Sequence, residues 1–177
     1  MMGLFGRFSI ALVFLTGCES PEQLPQSVPR IPVERIDLSP PFLQTERECL
    51  GRTIYFEARG SSVAVQLGVG LVVLNRVRIS GRSICATISM GERTRSGGLI
   101  RNRCHFSWYC DGKSDEPSDL VAWKKILTIV DDLLLKGVAD FTEGSTYFHS
   151  GKPPTWVSDV TKTVKIDDMS FYRSRRR

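Results

Sequence analysis

Ile54-Tyr55-Phe56-Glu57-Ala58-Arg59-Gly60 is the stretch on which the reading of this chain turns. Just upstream, Thr45-Glu46-Arg47-Glu48 has the form of a capping box, with Thr45 as N-cap and Glu48 reaching back. Apolar residues then recur at helical spacing, Leu50 to Ile54 and Cys49 through Thr53 to Phe56, and Gly60 stands as the glycine just past the C-terminus. Glu57 therefore falls in the last turn of a short helix, where the negative end of the macrodipole disfavours its charged form. Desolvation by Tyr55 and Phe56 pushes the same way, and Arg59 opposes both. The expected outcome is a carboxylic acid with a raised pKa, as a general acid near neutral pH requires. A solvated Glu at a helix end is the plainer alternative.

Moving outward, Ser61 or Ser62 caps a second helix over residues 63–77. It is apolar nearly all round, which marks a buried central helix, and about fifteen residues are too few to span a bilayer. Gly68 and Gly70 weaken it, so close approach by a neighbouring backbone is the expected gain. Asn75 needs partners in such a setting, and it either lines a cleft or is a satisfied core amide. Residues 78–103 read as loop-rich, with a short helical piece near 84–90 and a mobile Gly/Arg/Ser segment at 91–98 bordering a groove.

The block Cys104-His105-Phe106-Ser107-Trp108-Tyr109-Cys110 reads as a turn stapled at both ends, presenting its aromatic residues. Trp108 or Tyr109 suits stacking on a sugar face, with core packing as the alternative. Residues 118–136 form an amphipathic helix with Leu120, Trp123, Leu127, Val130 and Leu134 on one face and Gly137 closing it. Residues 145–149 and 163–172 alternate, which predicts a small antiparallel sheet turning near Asp167-Asp168. The fold class is α+β, mainly helical with that small sheet.

The chain has 177 residues, enough for one cored domain with tails. Its net charge of +5 owes much to Arg173, Arg175, Arg176 and Arg177, a basic tail at 174–177 suited to an anionic polymer or a membrane surface. No nucleic-acid-binding motif accompanies it, so nucleic acid is not an expected partner. Residues 1–17 carry one Arg and a short apolar run, the pattern of a signal peptide. Leu15-Thr16-Gly17-Cys18 then resembles a bacterial lipobox, which makes Cys18 the lipidation site. Residues 18–41 hold six of the nine prolines and read as a tether of at most roughly 70 Å in extended polyproline form. With Cys18 acylated, four of the five cysteines remain and allow three pairings. The favoured one closes the short Cys104–Cys110 loop and ties Cys49 to Cys85, as export permits.

Five segments in one order, 54–60, 63–76, 104–112, 144–149 and Phe171-Tyr172-Arg173, closely resemble the cell wall hydrolases of the spore-cortex-lytic (SleB-like) family. The resemblance spans about residues 48–173 and implies a catalytic domain over 42–173 with a lysozyme-like, lytic-transglycosylase-like fold. It implies cleavage of peptidoglycan glycan strands with Glu57 as the catalytic acid. The surrounding motifs supply a substrate-binding shell of Tyr55, Asn75, Ser107, Trp108, Thr146, Tyr147 and His149. Glycoside hydrolysis by either common route needs two carboxylates, whereas Asp111, Glu92 and Glu143 lack the setting of Glu57. One acid alone suits a lytic transglycosylase acting on the MurNAc-GlcNAc β-1,4 bond, in which the C6 hydroxyl of the substrate attacks and leaves a 1,6-anhydro sugar.

A muramidase-type hydrolase, or a non-catalytic wall-binding lipoprotein with a weakened site, is the alternative. Ser61 and Tyr147 depart from the family pattern, where a Glu and a His are usual, and alter the shell around the acid. A Cys/His peptidase built from Cys104 or Cys110 with His149 fails if all four cysteines pair. Cysteines spaced as C-x5-C do not have zinc-ligand spacing, and only His105 and His149 remain. No metal or other cofactor is expected. The expected partners are peptidoglycan and, through the lipid, a membrane, with the protein a monomer. Glu19 instead of Asp after Cys18 points to the outer membrane, on the periplasmic side.

Overall fold

The computed structural model describes residues 40–175. The expected leader, Cys18, the expected tether up to residue 39 and the last two arginines lie outside the described residues. The first helix, α1 (Pro40–Ala58), takes in the last two residues assigned to the tether. It starts upstream of the predicted cap, because prolines in the first turn lack only an N–H that has no helical partner there. Thr45 and Glu48 thus lie inside the helix, and Glu48 accepts from Gln44 Nε2 at 2.7 Å instead of closing a capping box. The neighbouring Glu46, buried, accepts the backbone N–H groups of Ile84 and Cys85 and so caps α3 (Ile84–Ile88). The Cys49–Cys85 disulfide clamps the same two helices.

Gly60 does not take up the left-handed backbone expected of a terminating glycine. The open carbonyls at the end of α1 are met by a side chain. Gln66 Nε2 donates to Ala58 O, Arg59 O and Ser61 O at 3.1, 3.3 and 3.2 Å. Gln66 belongs to α2 (Val63–Ser80), capped by Ser62 and closed by Gly81 in the left-handed region at φ 67°. This helix is apolar and long enough to cross a membrane by composition, yet half of it is buried inside the domain. Val65, Val69, Val72 and Val73 are wholly enclosed, each worth on the order of 1.5–3 kcal/mol of hydrophobic burial. Its glycines make room for side chains, and not for a neighbouring backbone. A Cβ on Gly68 would stand 2.6 Å from Phe171 Cζ, and one on Gly70 would meet Leu133 and Ile54.

The 91–98 segment, read from the sequence as loop, contains a strand. It enters an antiparallel hairpin of β1 (Gly91–Arg93) and β2 (Leu99–Cys104), closed by Thr94 N to Gly98 O at 2.8 Å. Both strands are short and mostly exposed, so no hydrophobic alternation advertised them. A single 3-10 turn, Ser107–Cys110, follows under the Cys104–Cys110 disulfide.

Helix α4 (Leu120–Asp131) is capped by Asp119, whose carboxylate accepts from Val121 N and Ala122 N, and passes into a π-helical turn, Asp132–Lys136. Its buried face is Ile126, Ile129, Val130 and Leu133. Leu120, assigned to that face by spacing, lies in the first turn and is 71% exposed. The three-stranded sheet has the order β3-β5-β4, with β3 (Tyr147–Ser150), β4 (Val160–Ile166) and β5 (Met169–Ser174) antiparallel. Asp167 makes the predicted turn at φ 51°. β5 passes the expected domain end by one residue, and Arg175 Nε then binds Val160 O at 3.0 Å. Helices and small antiparallel sheets make this an α+β fold, with Phe171 of β5 buried against α2.

Candidate active site

The end of α1 sets Glu57 at the wall of a cavity of about 740 Å³. Behind it Phe56 stacks on Trp108, ring centres 5.1 Å apart, and Tyr55 is buried in the core. No side chain among the described residues hydrogen-bonds the Glu57 carboxyl. Desolvation by these walls raises its pKa above the ordinary carboxylate value, and the nearby Arg76 cation pulls partly back. The opposing charge is thus Arg76, and not Arg59, whose guanidinium stacks 5.0 Å from the Tyr55 ring centre.

Arg76 comes from the last turns of α2. Its Nε donates to Thr146 O at 2.6 Å, and its guanidinium lies 4.9 Å from the Phe106 ring centre and 5.6 Å from that of Tyr147. The buried Nη1 has no hydrogen-bond partner. Desolvation lowers its pKa, and Tyr147 and Glu57 push it back up. A guanidinium remains charged under such a shift, so the cleft holds one acid and one fixed cation.

Of the residues predicted to bind substrate, Ser107, Thr146 and Tyr147 line this cavity, and Cys104 and His105 lie beside Ser107 on the same wall. Tyr55, Asn75, Trp108 and His149 do not. The Tyr55 hydroxyl accepts from Asp119 N at 2.8 Å and thereby anchors the start of α4. Asn75 is a core amide, donating to Asp140 Oδ2 at 2.9 Å and Ser145 O at 3.0 Å and accepting from Arg78 Nη1 at 2.8 Å. It fastens the 140–145 loop that leads into Thr146 and Tyr147, so it shapes the cleft from behind. Trp108 is buried against Phe56. His149 pairs with the Tyr172 hydroxyl at 2.9 Å and stacks on that ring.

No second carboxylate joins Glu57 among the residues lining the cavity. Asp111 lies by Lys113 and Glu92 by Arg103, both away from it; Glu143 is held in a loop at φ 57°. Ser61 lines a different cavity, with Arg59 and Lys125. Both predicted disulfides are formed, so neither Cys104 nor Cys110 presents a thiolate to His149.

Residues 60–172 match the family model of the cell wall hydrolases. The chain belongs to the cell wall hydrolase family. No curated protein and no solved structure matches it. Membership implies peptidoglycan as the substrate of this cell wall hydrolase, and the matched segment supplies every described cavity residue up to Trp156 except Glu57, which lies just before it. Among the cleft residues to which the sequence reading gave no substrate role are Arg76, His105, Phe148 and Trp156. Arg76 had left a trace, as the first charge on an otherwise apolar helix. Trp156 sits in a 3-10 turn, Thr155–Asp159, without periodicity, and reaches the cleft through its 5.5 Å ring contact with Tyr147.

Proposed function

We propose that this cell wall hydrolase cuts the MurNAc-GlcNAc β-1,4 bond of peptidoglycan as a lytic transglycosylase, with Glu57 as its acid. The observation that carries the reading is a single carboxyl group with a raised pKa on the wall of the cleft. Protonated Glu57 delivers its proton to the glycosidic oxygen as the C1–O bond breaks. Arg76 faces the carboxylate that results, and its cation stabilises that charge in a site of low dielectric. The C6 hydroxyl of the muramic residue attacks C1, and its proton returns to the site, to Glu57 in the simplest cycle. The Tyr147–Trp156 ring pair offers an apolar face for a sugar, and Ser107 and the Thr146 segment offer polar contacts beside it. A lysozyme-like domain tethered by a lipid on Cys18, facing the periplasm from the outer membrane, completes the reading.

Digestion of purified peptidoglycan, with mass spectrometry of the released fragments, tests it. Muropeptides ending in 1,6-anhydro-N-acetylmuramic acid are expected. Reducing-end N-acetylmuramic acid would assign a muramidase instead, and binding without release would assign a non-catalytic wall-binding protein. Glu57→Gln keeps the shape and removes the proton, so turnover should fall by about 10²–10⁴-fold while sedimentation with peptidoglycan is retained. Wild-type turnover by that variant would exclude Glu57 as the acid.

A further inference from the structure

We infer that Arg76 and Thr87 form an amide-binding subsite of the cleft, which takes the 2-acetamido group of a peptidoglycan sugar. This rests on the reading that the glycan strand occupies the cleft, and it names the substituent recognised there. The observation that carries it is a pair of unsatisfied polar atoms in one cavity. Arg76 Nη1 and Thr87 Oγ1 are both buried and both without a hydrogen-bond partner among the described residues. Both residues line the cavity that holds Glu57. Buried polar groups are ordinarily paired, and one that is not calls for an explanation.

Each group is fixed by its element. Thr87 is 1% exposed in α3, a helix held to α1 by the Cys49–Cys85 disulfide and by the Glu46 carboxylate. A threonine hydroxyl inside a helix can donate to the carbonyl one turn back, as Thr53 of α1 does to Cys49 O at 3.1 Å. The Thr87 N–H donates to Ser83 O at 2.9 Å, but its hydroxyl makes no such bond. Arg76 is held by its Nε bond to Thr146 O at 2.6 Å and by the Phe106 and Tyr147 rings beside it.

A guanidinium only donates, whereas a hydroxyl also accepts. A secondary amide answers both, its carbonyl oxygen accepting from Arg76 and its N–H donating to Thr87 Oγ1. In the acetamido group a methyl follows the carbonyl, and Ile79 and Met90 line the same cavity with apolar surface for it. Ile79 is 75% exposed, so a methyl laid on it removes apolar area from water. The acetamido group recurs along the glycan strand itself. The stem peptides also carry amides, and the test separates the two sources.

The test uses the full-length protein with Glu57→Gln, which should hold peptidoglycan without consuming it, and adds Thr87→Val, a change of nearly equal shape that removes the hydroxyl. Affinity is measured by sedimentation with purified peptidoglycan, with the same material after N-deacetylation, and, by competition, for glycan strands freed of stem peptides. Thr87→Val should weaken binding to intact peptidoglycan and to stem-free strands alike, by about 3–10-fold. That loss should nearly disappear on deacetylated material. Thermal unfolding should show Thr87→Val at least as stable as its parent, because the hydroxyl it removes has no protein partner. Equal binding by Thr87→Val and its parent on every substrate would overturn the inference. So would a loss that survives deacetylation, or one confined to strands with stem peptides, which would assign a stem amide. Failure of the underlying reading is distinct, since it shows in the fragments released by the wild type, whereas sedimentation needs no turnover.

Discussion

Glu57 and Arg76 line one cleft and act on each other, and their coupling has a definite sign. Desolvation raises the Glu57 pKa and Arg76 lowers it. Arg76→Met removes the lowering influence, so Glu57 should keep its proton to higher pH. The alkaline limb of the kcat profile should move upward, even as loss of the stabilising cation slows the reaction. An unmoved limb in a folded variant would show that the two groups do not interact in the working enzyme. The helix-terminal position of Glu57 was legible from spacing and from Tyr55 and Phe56. Arg76 as its counter-charge was not, since the two stand nineteen positions apart in the chain and only the packing of α2 on α1 brings them to one cavity.

At the scale of elements, the join between α1 and α2 holds the acid. Three carbonyls between α1 and α2, those of Ala58, Arg59 and Ser61, share one buried amide, that of Gln66. Gln66→Ala leaves them without this donor at a partly buried join. Unfolding in denaturant should show a loss of about 1–3 kcal/mol, together with a lower kcat as the end of α1 frays and Glu57 loses its position. A stability equal to wild type would mean that water or the backbone replaces the cap. Spacing alone predicted a glycine stop here, because the local sequence contains a glycine and cannot announce an amide from the next helix.

The whole molecule is fastened by pairs distant in sequence. Arg47 of α1 grips Asp131 of α4 through two bonds, Nη2 to Oδ2 at 2.8 Å and Nε to Oδ1. The hydrogen bond from Arg47 holds the Asp131 pKa below its ordinary 3.8. This pair therefore contributes stability above about pH 3.8, lost as the pH falls through the lower folded value. Thermal unfolding should show that acid dependence reduced in Arg47→Met; an identical dependence would exclude the pair as its source. At the other end of the chain, Cys18→Ser should release the protein from the membrane fraction, or leave it unprocessed, with the catalytic domain still active. Unchanged membrane association and no acyl mass on Cys18 would refute the lipid anchor.

By itself the sequence determined the α+β class, both disulfide pairs, the buried central helix, the β4–β5 turn at Asp167-Asp168 and the helix-terminal place of Glu57. These are local patterns, or pairings of four cysteines with few alternatives, and a short stretch of chain is enough to state them. Tertiary structure decided the rest. It turned Asn75 and Tyr55 inward as supports, left Leu120 off the buried face of α4, and paired residues 91–93 with β2. It also brought Arg76, His105 and Trp156 to the cavity of Glu57. A cleft is made of side chains from several elements, and which of them face it depends on how those elements pack, information that no single periodicity carries.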